Sequence, residues 1–203
     1  LNLDQKNFSI IQPKLTLQYL QPHFLIQDLN LVATVFDDIQ KSNESFDIER
    51  RGGRLGVRHN FDKTLSASLG YYFEQDDPSN VTETAKLSAL DTKVLNIAGF
   101  DANLTWDFRD DVIQPRQGGL NQLYLRTANS ALGSETDFVE LNAQTNWYLN
   151  LFRDYVLACS LTGKLIEPTQ SSTAIPIYNR YFLGGDTTVR GFPKDSLGPT
   201  ATD

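Results

Sequence analysis

The sequence predicts an all-β chain, the antiparallel wall of a transmembrane β-barrel with about eight strands. Three observations predict it. Apolar and polar residues alternate with period two along most of the chain, which is the side-chain period of a strand. Several of these runs reach roughly 9–11 residues, the length of a tilted membrane-crossing strand; soluble strands are usually about five or six. The links between runs alternate between short and long, the pattern of a barrel with tight turns on one side and long loops on the other.

Taken in order, a first, weaker alternation covers 14–20 and a second covers 29–36. The third, over 46–59, changes parity at Gly52 and Gly53, which predicts a β-bulge. In the fourth, Leu65, Ala67, Leu69, Tyr71 and Phe73 oppose Thr64, Ser66, Ser68, Gly70 and Glu74, with Tyr72 breaking the polar set. The fifth, 96–109, is the clearest. Ala98, Phe100, Ala102, Leu104, Trp106 and Phe108 share one face, and Gly99, Asp101, Asn103, Thr105, Asp107 and Arg109 share the other. A weaker run at 122–127 follows. The seventh sets Val139, Leu141, Ala143, Thr145, Trp147 and Leu149 against Glu140, Asn142, Gln144 and Asn146. The eighth sets Tyr155, Leu157, Cys159, Leu161 and Leu165 against Ala158, Ser160, Thr162 and Lys164.

The short links read as 21–28, 60–63 and 150–154, and the long ones as 37–47, 75–93 and 128–137. The link 110–119 fits the short class poorly. Aromatic residues collect near strand ends at Tyr19, Tyr71, Phe73, Trp106, Phe108, Trp147 and Tyr148, as in an interfacial girdle. Aromatic packing inside a soluble sheet is the alternative reading of the same residues.

Composition sets further bounds. The 203 residues carry a formal net charge of −7, which argues against nucleic acid as a partner because phosphate binding needs clustered Lys and Arg. No apolar run approaches the roughly 18–20 residues of a membrane-spanning helix. The single cysteine, Cys159, permits no internal disulfide and reads as a small hydrophobe. There is no methionine, so the chain reads as mature or truncated, with no signal peptide at its start.

No catalytic constellation emerges, so the chain is read as a non-enzyme without cofactor or metal. His23 and His59 are the only histidines and stand outside any ligand spacing. Asp107, Asp110 and Asp111 form an acidic group, and Asp101 and Asp107 share a face with Arg109. Solvated charges inside a barrel explain both.

The densest motif begins at Tyr178: Tyr178-Asn-Arg-Tyr-Phe-Leu-Gly-Gly-Asp-Thr-Thr-Val-Arg-Gly-Phe-Pro-Lys-Asp-Ser-Leu-Gly-Pro199. Gly184 and Gly185 permit a left-handed backbone, and Gly191 permits a sharp turn. Val189 and Phe192 flank Arg190, whose planar fork suits acidic partners. Read from the residues alone, a surface hairpin turn is equally consistent.

The segment Phe182-Leu-Gly-Gly-Asp-Thr-Thr-Val-Arg-Gly-Phe192 resembles the sixth-extracellular-loop motif of the Omp85 superfamily, and Ser196-Leu-Gly-Pro199 is similar to its continuation. Trp106-Asp-Phe-Arg-Asp-Asp-Val-Ile-Gln-Pro-Arg-Gln-Gly118 resembles that family's strand-to-turn element, carried by Asp107, Arg109, Asp110, Pro115 and Gly118. Leu17-Gln-Tyr-Leu-Gln-Pro-His-Phe-Leu25 is similar to an earlier turn.

The resemblance implies a barrel of about sixteen strands, of which residues 1–203 supply about the fourth to the eleventh and the start of loop six, without POTRA domains. It favours the bacterial assembly branch of the BamA and TamA type. The implied function is insertion of unfolded β-barrel clients into a Gram-negative outer membrane, with outer-membrane lipids and accessory lipoproteins or periplasmic subunits as partners. The alternative within the superfamily is a two-partner secretion pore. The resemblance also implies that the loop folds into the lumen and that Arg190 packs against acidic residues on later strands, which this sequence does not include.

Overall fold

Eight strands run as one antiparallel meander in the order β1 to β8. They are β1 (Lys14–Gln21), β2 (Leu29–Lys41), β3 (Asp47–Asn60), β4 (Leu65–Ser79), β5 (Leu95–Asp107), β6 (Gly118–Ala128), β7 (Phe138–Phe152) and β8 (Tyr155–Pro168). The computed structural model describes residues 13–41, 46–81, 88–169, 172–185, 188–192 and 197. Among these, the only helical elements are three short 3-10 turns.

Strand parity divides the sheet into two unlike faces. Cross-strand registers join Leu17 to Val35, Leu55 to Tyr71, Tyr71 to Phe100, Leu104 to Leu123, Leu125 to Leu141 and Leu141 to Leu165. All of these side chains remain exposed on the outer face. No second layer covers them among the described residues, so the aromatics are not the core of a soluble sheet. On β4 the apolar positions run from Leu65 to Phe73, eight steps or about 27 Å along the strand. Once the strand tilts, that matches the apolar band of an outer-membrane barrel, roughly 25 Å tall.

A polar row ends the band. Asp37, Arg51, Gln75 and Asn96 are successive register partners on that face. Arg51 Nε lies 3.4 Å from Asp37, and Gln75 Nε2 donates to Asn96 Oδ1 at 3.3 Å. At the opposite end, Trp106 and Phe108 rings lie 4.6 Å apart and Phe108 and Trp147 lie 5.2 Å apart. These aromatics form part of an interfacial girdle.

Several strands continue past the polar row, and this corrects the expected link lengths. β2 runs on to Lys41 and β4 to Ser79, so the link between β2 and β3 shrinks to 42–46 and that between β4 and β5 to 80–94, while that between β5 and β6 spans 108–117. The strict short-and-long alternation therefore fails, because loop-side residues read as links are strand. The bulge expected at Gly52 and Gly53 is absent as well. Phe36 pairs with Gly52 and Val35 with Gly53 in unbroken register. Gly52 instead admits close backbone approach: a Cβ there would stand 2.5 Å from the Phe73 carbonyl oxygen. The register shifts between Asn150 and Phe152, at the tight β7–β8 turn.

Buried apolar residues gather on the inner face at the loop end. Ile48, Tyr72, Leu95, Ile97, Ala128 and Phe138 pack there with Ile175, Ile177 and Tyr178 from the segment after β8.

The two faces predict opposite responses to the same substitution. Leu123→Arg on the outer face should destabilise the folded barrel by about 2–4 kcal/mol, whereas the neighbouring Gln122→Arg, facing inward, should change it little. Denaturant-dependent mobility of the folded band on cold gels checks both; equal sensitivity at the two positions would refute the assignment of faces.

Candidate functional site

Inward parity on β3 to β8 brings charges together. Arg54 on β3 donates from Nε to both oxygens of Asp101 on β5, at 2.7 and 2.9 Å. The fork lies against Gly70 on β4: a Cβ at residue 70 would stand 2.7 Å from Arg54 Cζ. On β6, Arg126 pairs with Glu74 of β4 and lies 3.7 Å from Glu140 of β7. Its guanidinium sits 4.4 Å from the Tyr72 ring centroid, a cation–π distance. Tyr72 therefore does not break the polar face, since its hydroxyl donates to the Thr127 carbonyl at 3.0 Å and its ring receives the arginine.

Above this network the chain turns back inside. After β8, residues 172–182 form a stalk against the inner wall. Arg50 Nη2 donates to the Tyr178 carbonyl at 3.0 Å. Tyr181 Oη reaches Glu140 and Asn142 on β7, both at 2.7 Å, and Lys164 on β8 lies 5.1 Å from the Tyr181 ring. Burial, followed by the Glu140 carboxylate, pushes the Tyr181 phenol well above its usual range, so it stays protonated and donates. Asp91, from the β4–β5 link, accepts from Arg180 Nη2 at both carboxylate oxygens, at 2.8 and 3.1 Å.

The loop motif follows directly. Gly184 and Gly185 have φ of 118° and 89°, a left-handed backbone that favours glycine. Thr188 Oγ1 closes a small ring, accepting from Gly184 N at 2.8 Å and donating to Gly184 O at 2.7 Å. Gly185 N donates to the Phe192 carbonyl at 2.9 Å, and Phe192 N to the Val189 carbonyl at 3.4 Å. Gly191 has φ of 97°, the turn expected of it. Arg190 is exposed at the tip and Phe192 is half-exposed. Ser196, Gly198 and Pro199 lie outside the described residues.

The strand-to-turn residues form a separate cluster at the opposite end. Asp107 receives the Arg109 fork at 2.8 and 2.7 Å. Asp110 Oδ1 accepts from the backbone N–H groups of Asp111, Arg116 and Gln117 at 3.0, 2.9 and 3.1 Å. Asp111 Oδ1 accepts from Ile113 and Gln114 at 2.7 and 2.8 Å. Gly118 has φ of 96°, and a Cβ there would stand 2.2 Å from the Phe108 carbonyl oxygen. Pro115 is half-buried within this turn. Asp101 and Asp107 do not join one network with Arg109, because Asp101 turns to Arg54 while Arg109 closes locally on Asp107.

Glu74, Arg126, Glu140, Asp91 and Arg180 were not singled out by the sequence reading. Parity alone marks Glu74, Arg126 and Glu140 as inward, and the registers join Arg126 to Glu140 directly. Asp91 and Arg180 lie in links, where period two gives no signal.

The carboxylate-centred turn predicts a pH dependence. Gln117 N–H, then Arg116 N–H, hold Asp110 below the ordinary carboxylate range, and Gln114 and Ile113 do the same for Asp111. A depressed folded value adds order that is complete above the unfolded value, about 3.9, and is lost as pH falls through the depressed one. The Arg116 and Gln117 amide resonances should hold steady down to that range and then shift together, and Asp110→Asn should remove the transition. Titration at the ordinary value would show that the turn is not held by Asp110.

Comparison with known proteins agrees with this geometry. Among solved structures, the chain is similar to BamA from Haemophilus ducreyi lacking POTRA domains 1–3, with a TM-score of 0.76 at 18% identity, over 92% of this chain and 38% of that one. At that identity the likeness carries the fold. Among curated proteins, it is 32% identical over 93 residues to the sorting and assembly machinery component 50 homolog of Mus musculus, and 35% over 98 residues to that of Xenopus tropicalis. Each match covers 46% of this chain, which spans only 19% of those relatives. The profile of the Omp85 superfamily domain matches residues 7–203, which takes in all eight strands and the segment after them, and the chain belongs to that superfamily.

Proposed function

We propose that this chain is the central wall of an outer-membrane assembly factor that folds and inserts β-barrel clients. The observation that supports the reading is the segment after β8, whose residues Ile175 to Phe182 turn back against the charged inner wall, while the opposite face of the same strands is bare and apolar. Superfamily membership and the relatives' designation as sorting and assembly machinery components support it.

The mechanism needs no cofactor. Unpaired strand edges in hydrocarbon cost several kcal/mol per orphaned group, roughly, so a weakly paired seam templates an incoming strand through backbone hydrogen bonds. The driving force is the client's own burial in lipid. The partners of the complete protein are unfolded β-barrel clients, outer-membrane lipids and accessory subunits. In that protein we place these strands at about the fourth to the eleventh of about sixteen. The solved relative is bacterial and the curated ones are from animals. The compartment is accordingly an outer membrane, without the narrower Gram-negative assignment. In that protein we assign the Gly184, Gly185, Val189, Arg190, Gly191 and Phe192 motif to loop six and the turn centred on Asp110 to a turn-forming element.

The test uses the full-length protein in liposomes with a urea-unfolded client barrel. The folded client should accumulate several-fold faster than with empty liposomes, and end in the bilayer. A client delivered into the vesicle interior instead would make the barrel a secretion pore, and a rate equal to that of empty liposomes would remove the assembly reading.

A further inference from the structure

Asp91 sits in the 3-10 turn Ala89–Thr92, far in sequence from the loop motif, yet its side chain is fully buried beneath the stalk. Its direction is set before it meets the stalk. Ser88 Oγ accepts from Leu90 N at 3.3 Å, and Asp91 Oδ2 accepts from Ser88 N at 2.8 Å, a reciprocal capping box. The remaining capacity of the carboxylate is then directed at two stalk groups. Oδ1 accepts from Ile177 N and from Arg180 Nη2, both at 2.8 Å. Arg180 Nε donates back to the Ile175 carbonyl at 2.8 Å. One guanidinium thus ties the stalk backbone to a carboxylate supplied by the β4–β5 link. Lysine, a point charge with no planar fork, does not hold both at once.

Leu183, Gly184 and Gly185 come three to five residues after Arg180. The stalk is pinned on one side by Asp91 and on the other by Tyr181 against β7, and the left-handed glycines begin three residues after the second pin. The tip from Thr188 to Phe192 closes on Gly184 and Gly185, so its position is inherited from the direction of the stalk.

The geometry points to Asp91 and Arg180 as a positioning pair that fixes the root of the 183–192 loop against the inner wall and thereby sets where the tip stands. The pair is distinct from the loop's own arginine. It acts through the stalk, from which the tip follows. It rests on the insertion reading only for the claim that tip position matters to a client.

Hydrogen exchange on the full-length protein in lipid nanodiscs separates positioning from general stability. In Asp91→Asn and in Arg180→Lys, the Gly185 and Phe192 amides should exchange roughly tenfold faster or more. Those of Leu104 and Leu123, on β5 and β6, should keep their rates. Unchanged exchange at Gly185 and Phe192 would overturn the proposal. So would an equal rise at Leu104 and Leu123, because the pair would then serve only overall stability. Client insertion is followed in the same preparations and should slow several-fold. Loosened tip amides with insertion at the wild-type rate would leave the positioning pair standing and count against the use of this loop in insertion.

Discussion

A strand that crosses hydrocarbon can send its N–H and C=O groups only to a neighbouring strand, because no water is there to receive them. The continuous pairing from β1 to β8, whose register shifts only at the β7–β8 turn among the described residues, follows from that constraint, and so does the rest of the architecture. With the backbone extended and paired, side chains alternate by necessity. Lipid selects carbon on one face. Every charge the strands carry within the band is then turned inward, where the charges must find one another in a confined space. Where the outward face becomes polar, at the row from Asp37 to Asn96, the apolar band stops although the strands continue.

Confinement decides what the inner charges do. Desolvating a charge is expensive, and a buried ion pair recovers the cost only with good geometry and further hydrogen bonds. Arg126 meets that condition through Glu74 and Glu140 with the Tyr72 ring beneath it. The net gain in stability from such a group is small, whereas a mispaired one is costly. The network therefore acts as a selector: it accepts one arrangement of β4, β6 and β7 and penalises the others. The stalk extends the same logic, since Tyr181 takes up the Glu140 and Asn142 oxygens on β7.

The period-two pattern made the eight strands legible, and β5 and β7 most clearly, because lipid on one side and polar groups on the other leave the cleanest alternation. Strand ends were less legible. Above the polar row the outer face of β3 and β4 no longer meets lipid, so the apolar half of the pattern disappears while pairing persists, and residues such as Gln75 to Ser79 read as loop. Gly52 and Gly53 misled for a related reason. A missing side chain breaks the pattern in the same way that an inserted residue does, and only the register distinguishes them. The loop and turn motifs were found as motifs, yet the pairing that holds the loop's root joins Arg180 to Asp91, 89 residues away, and such a contact leaves no local trace.

The glycine at residue 70 shows how such a wall is inherited. Its absent side chain is the space that the Arg54 fork occupies on its way to Asp101, so three residues on three strands share one volume and one charge. None of them can drift alone. A larger residue at 70 evicts the guanidinium, and a shorter one at 54 strands the carboxylate. In divergent descendants of this sequence the three positions should therefore change together or not at all. Their joint identity would then outlast the lipid-facing positions around them, where one apolar side chain readily replaces another.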